Sequence, residues 1–180
     1  MLLDKNIIDK NNMIAKKLLN NISDEWKNIL INDEFNNICS QLNQLLVNNI
    51  NITPPINNIF EFAKFTPLSN IKVIIIGQDP YPRKGDAHGL AFSCLTGVPK
   101  SLTFIYKCLH KNKLIKEIPT TGNLTQWAKK GILLLNKTLT TEVGKSNVHV
   151  NIWDNYIKKL IMSISNIQRS IFMLWGNDAK

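Results

Sequence analysis

An aspartate stands directly behind a run of isoleucines: Asp79 follows "KVIIIGQ" and precedes Pro80, Tyr81 and Pro82. A carboxylate on a loop stiffened by two prolines can orient a water molecule or stabilise a developing cation. The other use of such a position is a turn aspartate that bonds its own backbone. Tyr81 and Phe92 bracket this loop, with Gly85 and Gly89 between them. The glycines permit close approach of backbone to a ligand, and the two aromatics either wall a slot for a flat ring or belong to the core. Asn136 closes the run "GILLLN"; its amide offers donor and acceptor together, enough to read a base edge or to cap a strand end. Ser101, after "GVPK", reads as a helix N-cap, and Lys100 beside it makes that helix start suitable for a phosphate. His88 and His149 are isolated and lack metal-ligand spacing, and neither a dinucleotide fingerprint nor a phosphate loop is present.

Three short apolar runs must position these groups: "KVIIIG" at 72–77, "GILLLN" at 131–136 and "IFMLWG" at 171–176. Continuous apolar runs of that length predict parallel strands covered on both faces. Helical stripes lie between them, at Leu102, Ile105, Tyr106 and Leu109 and again at Trp153, Tyr156, Ile157, Leu160, Ile161 and Ile164. A further stripe precedes them, Phe35, Ile38, Cys39, Leu42, Leu45 and Leu46, and Thr53-Pro54-Pro55 ends it. Residues 1–22 are polar and weakly periodic, a loose helix at most. Strands alternating with helices predict an α/β domain whose site lies outside the carboxyl ends of the strands. Those ends are Gly77-Gln78-Asp79, Asn136 and Gly176, so the candidate residues converge on one edge.

The bulk properties agree with one such domain. The chain has 180 residues, 44% of them hydrophobic, and carries 22 Lys and Arg against 13 Asp and Glu, a net charge of +9. A basic surface suits polyanions such as nucleic acid and also serves solubility. Three scattered cysteines, Cys39, Cys94 and Cys108, suggest neither a disulfide framework nor a zinc site. Cys39 and Cys108 read as small core residues on helical faces. The cysteine usage and the absence of a transmembrane-length apolar run predict an intracellular protein, cytoplasmic if bacterial and nuclear or mitochondrial if eukaryotic.

At "GQDPYPRKGDAHGLAFS" the sequence resembles the family-1 uracil-DNA glycosylases, whose water-activating Gly-Gln-Asp-Pro-Tyr motif stands here as Gly77 to Tyr81. The resemblance extends from about Trp26 to the last residue through "ITPPINNIFEFAKFTPLSNIKV", "VPKSL", "WAKKGILLLN" and "FMLWG". It implies a three-layer α/β/α fold with a short parallel sheet, and an enzyme that hydrolyses the N-glycosidic bond of deoxyuridine in DNA. In that scheme Asp79 positions the water, backbone of Gln78 lines the pocket, Phe92 stacks on uracil, Asn136 reads its edge and Tyr81 crowds out the thymine methyl. Ser93, Lys100 and Ser101 hold phosphates, and His149 supports the aspartate region. No cofactor or metal is implied. The implied partners are single- and double-stranded uracil-containing DNA and a proteinaceous glycosylase inhibitor, with the protein a monomer away from membranes.

Family members continue past "LLWG" with a helix, a strand and a His-Pro-Ser-Pro-Leu segment. The 180 residues are therefore expected to form a single, C-terminally truncated domain with three of four strands, leaving one sheet edge unpaired. A glycosylase-like DNA-binding module with impaired catalysis is the alternative reading.

Overall fold

The computed structural model describes residues 13–175. The sheet has the predicted strands: β2 (Val73–Gly77), β3 (Ile132–Asn136) and β5 (Ile171–Leu174), all parallel, in the order β3-β2-β5. Two short strands, β1 (Ile52–Thr53) and β4 (Thr141–Glu142), pair separately and antiparallel. Helical residues 13–18 (α1) are followed by α2 (Asp24–Leu30), α3 (Phe35–Val47) and α4 (Glu61–Phe65), all ahead of the sheet. Helices α5 (Lys100–Lys111) and α6 (Thr125–Lys129) connect β2 to β3, and α7 (Val150–Ile167) connects β3 to β5.

The helices form where apolar residues recur at helical spacing, and the stripes face inward. Leu102 and Tyr106 of α5 are buried, as are Trp153, Tyr156, Ile157, Leu160 and Ile164 of α7. Ile14 and Leu18 of α1 are also fully buried, so the weakly periodic start of the chain contains a helix that packs, with residues 1–12 outside the described part. Helix α7 docks against α2 and α3, with the Tyr156 hydroxyl donating to the Leu30 carbonyl at 2.9 Å and Lys159 paired with Asp33 and Glu34. Trp26 of α2 donates its indole N–H to the Thr66 carbonyl at 2.8 Å, which pins this helical layer to the segment leading into the sheet.

Neighbours in register on parallel strands point to the same face. Ile74, Ile76, Leu133 and Leu135 are buried on one face. Val73, Ile75, Ile132 and Met173 lie on the other, where they form the floor of an apolar groove of about 900 Å³. Phe104, Ile105 and Leu109 of α5 and Trp127 of α6 wall it.

Two expectations fail here. All four residues of β5 are exposed, from 37% for Met173 to 66% for Ile171. The apolar run predicted a strand covered on both faces, but only β2 lies beside it, and among the described residues no strand pairs with its outer edge. Cys108 is exposed at the rim of the groove while Cys39 is buried as expected. Its helical stripe faces the groove, not the closed core.

Candidate active site

The carboxyl ends of β2 and β3 are held in register beyond their last residues. The Lys137 amide donates to the Gly77 carbonyl at 2.8 Å, and the Thr138 amide to the Gln78 carbonyl at 3.0 Å. Gly77 and Asn136 are register partners, so their side-chain positions share a face. A Cβ on Gly77 would lie 2.3 Å from Asn136 Oδ1 and 3.4 Å from the Phe92 ring. Glycine is required there because the amide and the aromatic ring occupy the space a side chain would take. The strand end thus brings Asn136 and Phe92 together, 44 positions apart in the chain.

Phe92 has φ +62. A bulky residue in the left-handed region is a strained feature that persists only where the surroundings impose it. Here the ring meets Trp175 edge-on at 5.4 Å, and the Phe92 carbonyl accepts the Tyr81 hydroxyl at 3.3 Å. With its proton on that carbonyl, the Tyr81 oxygen accepts from the Ser101 hydroxyl at 2.9 Å. Burial lifts the Tyr81 phenol above its ordinary value, with the Ser101 bond pulling the other way, so the ring presents a neutral hydroxyl. One side chain therefore ties the Asp79 loop, the strained Phe92 turn and the first turn of α5 together.

These residues enclose a single cleft of about 200 Å³, lined by Gly77, Gln78, Asp79, Pro80, Tyr81, Pro82, Phe92, Ser101, Asn136 and Ser146. Its lining combines aromatic rings, a carboxamide and a carboxylate. Asp79 is partly exposed, and its Oδ2 accepts the backbone amide of Asn147 at 2.6 Å. The larger groove shares Phe92 and Ser101 with the cleft but is otherwise almost wholly apolar. The polar chemistry lies in the smaller space.

The sequence expectations divide as follows. Gln78, Asp79, Tyr81, Phe92, Asn136 and Ser101 meet in the cleft. Lys100 is exposed at the start of α5, outside the cleft lining. Ser101 is not the N-cap: Pro99 holds that position and Ser101 lies in the first turn, its hydroxyl committed to Tyr81. Ser93 is 1% exposed. Its hydroxyl accepts the Leu124 amide at 2.8 Å, bonds His88 Nε2 at 2.7 Å and lies 3.3 Å from the Gly122 carbonyl. The Ser93 side chain is thus a buried linker whose hydroxyl is engaged within the fold.

His149 is buried at the start of α7, with Nδ1 3.0 Å from the Thr140 hydroxyl, which also accepts the Trp153 indole N–H at 2.7 Å. Its Nε2 is buried without a hydrogen-bond partner. His149 thus ties the start of α7 to Thr140, the residue just before β4. Sequence reasoning missed Ser146 and Asn147. The Gly-Lys-Ser-Asn turn composition at 144–147 was a loop signal, but nothing in it pointed back to Asp79.

Burial depresses the pKa of both His88 and His149 below 6.5. The unfolded chain then binds more protons than the folded one as pH falls through the ordinary histidine value, so stability drops on acidification. Thermal melts should show a falling midpoint from about pH 7.5 to about pH 5.5. A midpoint that stays level or rises would contradict the burial of these rings.

The profile of the family described as the Uracil DNA glycosylase superfamily matches residues 63–180. The chain belongs to the uracil-DNA glycosylase superfamily. It is 46% identical over 133 residues to a uracil-DNA glycosylase of Campylobacter concisus (strain 13826), covering 72% of this chain and 57% of that protein. It is 42% identical over 163 residues to one of Francisella philomiragia subsp. philomiragia, covering 86% of this chain and 75% of that protein. The crystal structure of mimivirus uracil-DNA glycosylase superposes with a TM-score of 0.81 at 28% identity, covering 97% of this chain and 66% of that one. A mimivirus UNG Y322L structure in complex with UGI gives 0.84 at 30% identity, covering 92% and 65%. The chain therefore spans little more than half of the first of these relatives and three quarters of the second.

Proposed function

We propose that this domain releases uracil from DNA by hydrolysing its N-glycosidic bond, leaving an abasic site for base-excision repair. The observation that carries this reading is the single cleft joining Asp79, Tyr81, Phe92 and Asn136 at the ends of β2 and β3. A glycosidic bond inside a duplex is unreachable, so the deoxyuridine must swing out of the stack into a pocket. A cleft of about 200 Å³ suits one small planar ring. Phe92 stacks on its face, and the Asn136 carboxamide supplies the donor and acceptor that pair with the base edge. Tyr81, held by its two hydroxyl bonds, fills the space beside the ring where thymine carries a methyl. Asp79 orients a water toward the sugar carbon and offsets the positive charge that grows as the base departs. Water adds to the sugar carbon, the carbon–nitrogen bond breaks, and uracil leaves with the bonding pair and takes up a proton.

The net charge of +9 and the start of α5, with Lys100 and Ser101, support DNA phosphate binding next to the cleft. Single- and double-stranded DNA are both substrates in this reading. The solved relative bound to UGI supports a protein inhibitor as a further partner. We take the protein to act as a monomer inside the cell, a setting its three free thiols fit.

The test is uracil release from a single-stranded oligonucleotide with one uracil, read as alkali-labile cleavage. Cleavage should appear with the unchanged chain, and Tyr81→Ala should add slow release of thymine. Salt-sensitive DNA binding without any cleavage would favour a non-catalytic binding module instead.

A further inference from the structure

Resting on the reading above, we propose that Asn147 is a positioning residue for Asp79: its backbone amide, presented by a left-handed turn, holds the carboxylate in its working orientation.

The segment after β4 is anchored from several sides. Strand β4 is paired to β1, and the Val143 amide continues that pairing by donating to the Asn51 carbonyl at 2.8 Å. The Thr141 hydroxyl donates to the Lys145 carbonyl at 2.8 Å, and Lys145 pairs with Glu142 across the same turn. From this base two amides reach across to the loop that follows β2. The Gly144 amide donates to the Pro82 carbonyl at 2.9 Å, and the Asn147 amide to Asp79 Oδ2 at 2.6 Å. The second is the shorter of the two.

Asn147 has φ +62. That turn lets the chain reverse immediately after the peptide that presents the N–H, so that His149 can bury itself and α7 can begin at Val150. Asparagine is among the few residues besides glycine that adopt this conformation readily. The residue type is therefore explained by backbone geometry. Ser146, immediately before it, lines the same cleft as Asp79, which places the clamp at the site. A carboxylate meant to aim a water has freedom about its own side-chain bonds. An amide fixed from outside the Asp79 loop helps to limit that freedom.

The experiment combines a structural readout with a kinetic one. In the unchanged chain the Asn147 amide proton should resonate well downfield, and Asp79→Ala should shift it back by far more than its neighbours. An Asn147 amide indifferent to Asp79→Ala overturns the inference. For kinetics, Asn147→Gly keeps the left-handed turn and the N–H, so uracil release should stay close to that of the unchanged chain. Asn147→Val disfavours the turn and should lower kcat by about tenfold or more, with KM nearly unchanged. Asn147→Ala, measured alongside, should fall between the two and guards against a valine variant that fails to fold. Equal kcat in all three variants would overturn the inference. An unchanged chain that releases no uracil would instead sink the enzymatic reading. In that case a responsive Asn147 amide upholds the clamp as a contact, and an unresponsive one removes it.

Discussion

Replacing Asp79 with alanine is expected to lower kcat for uracil release by about 10²- to 10⁴-fold, with far less change in KM. The asymmetry follows from where the residue sits. In the proposed reading, stacking on Phe92 and pairing with Asn136 hold the base before and during bond breaking, so they contribute to ground-state binding as well. Asp79 lines the cleft, and in the proposed reading it faces the sugar and the water. Its charge matters most when the glycosidic carbon becomes positive, and its oxygen matters only if a water is aimed. Asp79→Asn keeps the shape and removes the charge. It therefore separates the two contributions: a loss as large as that of alanine assigns the effect to charge, and a smaller one to orientation. A drop in DNA affinity with kcat preserved would place Asp79 outside the chemistry.

The second large effect is on stability. Gly89→Ala should destabilise the fold by about 3 kcal/mol or more, which for a chain of this size lowers the melting midpoint by about 6–12 °C. Gly89 has φ +90, and a Cβ there would lie 1.8 Å from the Asn58 carbonyl oxygen and 3.0 Å from its carbon. Neither is a side chain that can move aside, because Asn58 belongs to the single helical turn Ile56–Asn58. The variant must either push the 86–95 loop off this turn or break the turn itself. That loop carries the buried His88–Ser93 pair and Phe92, so the damage reaches the cleft and activity should fall as well. Gly97→Ala is the matched control, since a Cβ there meets nothing within 4 Å. Comparable loss in both variants would mean that the Asn58 contact does not set the cost.

How much of this was legible in the sequence depends on whether the signal was local. The strands were readable because runs such as "VIIIG" and "ILLLN" leave few other options, and the site followed from where they end. The helices α5 and α7 were readable from their stripes. What failed depended on the neighbourhood of a residue and not on its type. Ser101 sat in the right place for a cap, but Pro99 already occupied it. Ser93 looked available to a phosphate, and only the fold shows its hydroxyl meeting His88, Gly122 and Leu124. The run Ile171–Leu174 has the composition of a covered strand and is exposed, because composition records what a strand can bury and not what lies beside it. The Asn147–Asp79 bond spans 68 positions, and no short-range pattern could carry it.

The outer side of β5 has a bearing on how this protein behaves in a tube. Among the described residues the sheet stops at an all-apolar strand, and an open edge of that kind can template another chain. Ile171, Phe172, Met173 and Leu174 contain no lysine, proline or glycine to blunt it. What holds copies apart is their shared charge of +9, a long-range repulsion that fades as added salt shortens the screening distance. With this edge open, low-salt buffers, which would also favour the proposed DNA binding, are expected to keep copies dispersed, and light scattering should rise with added salt if β5 pairs between copies.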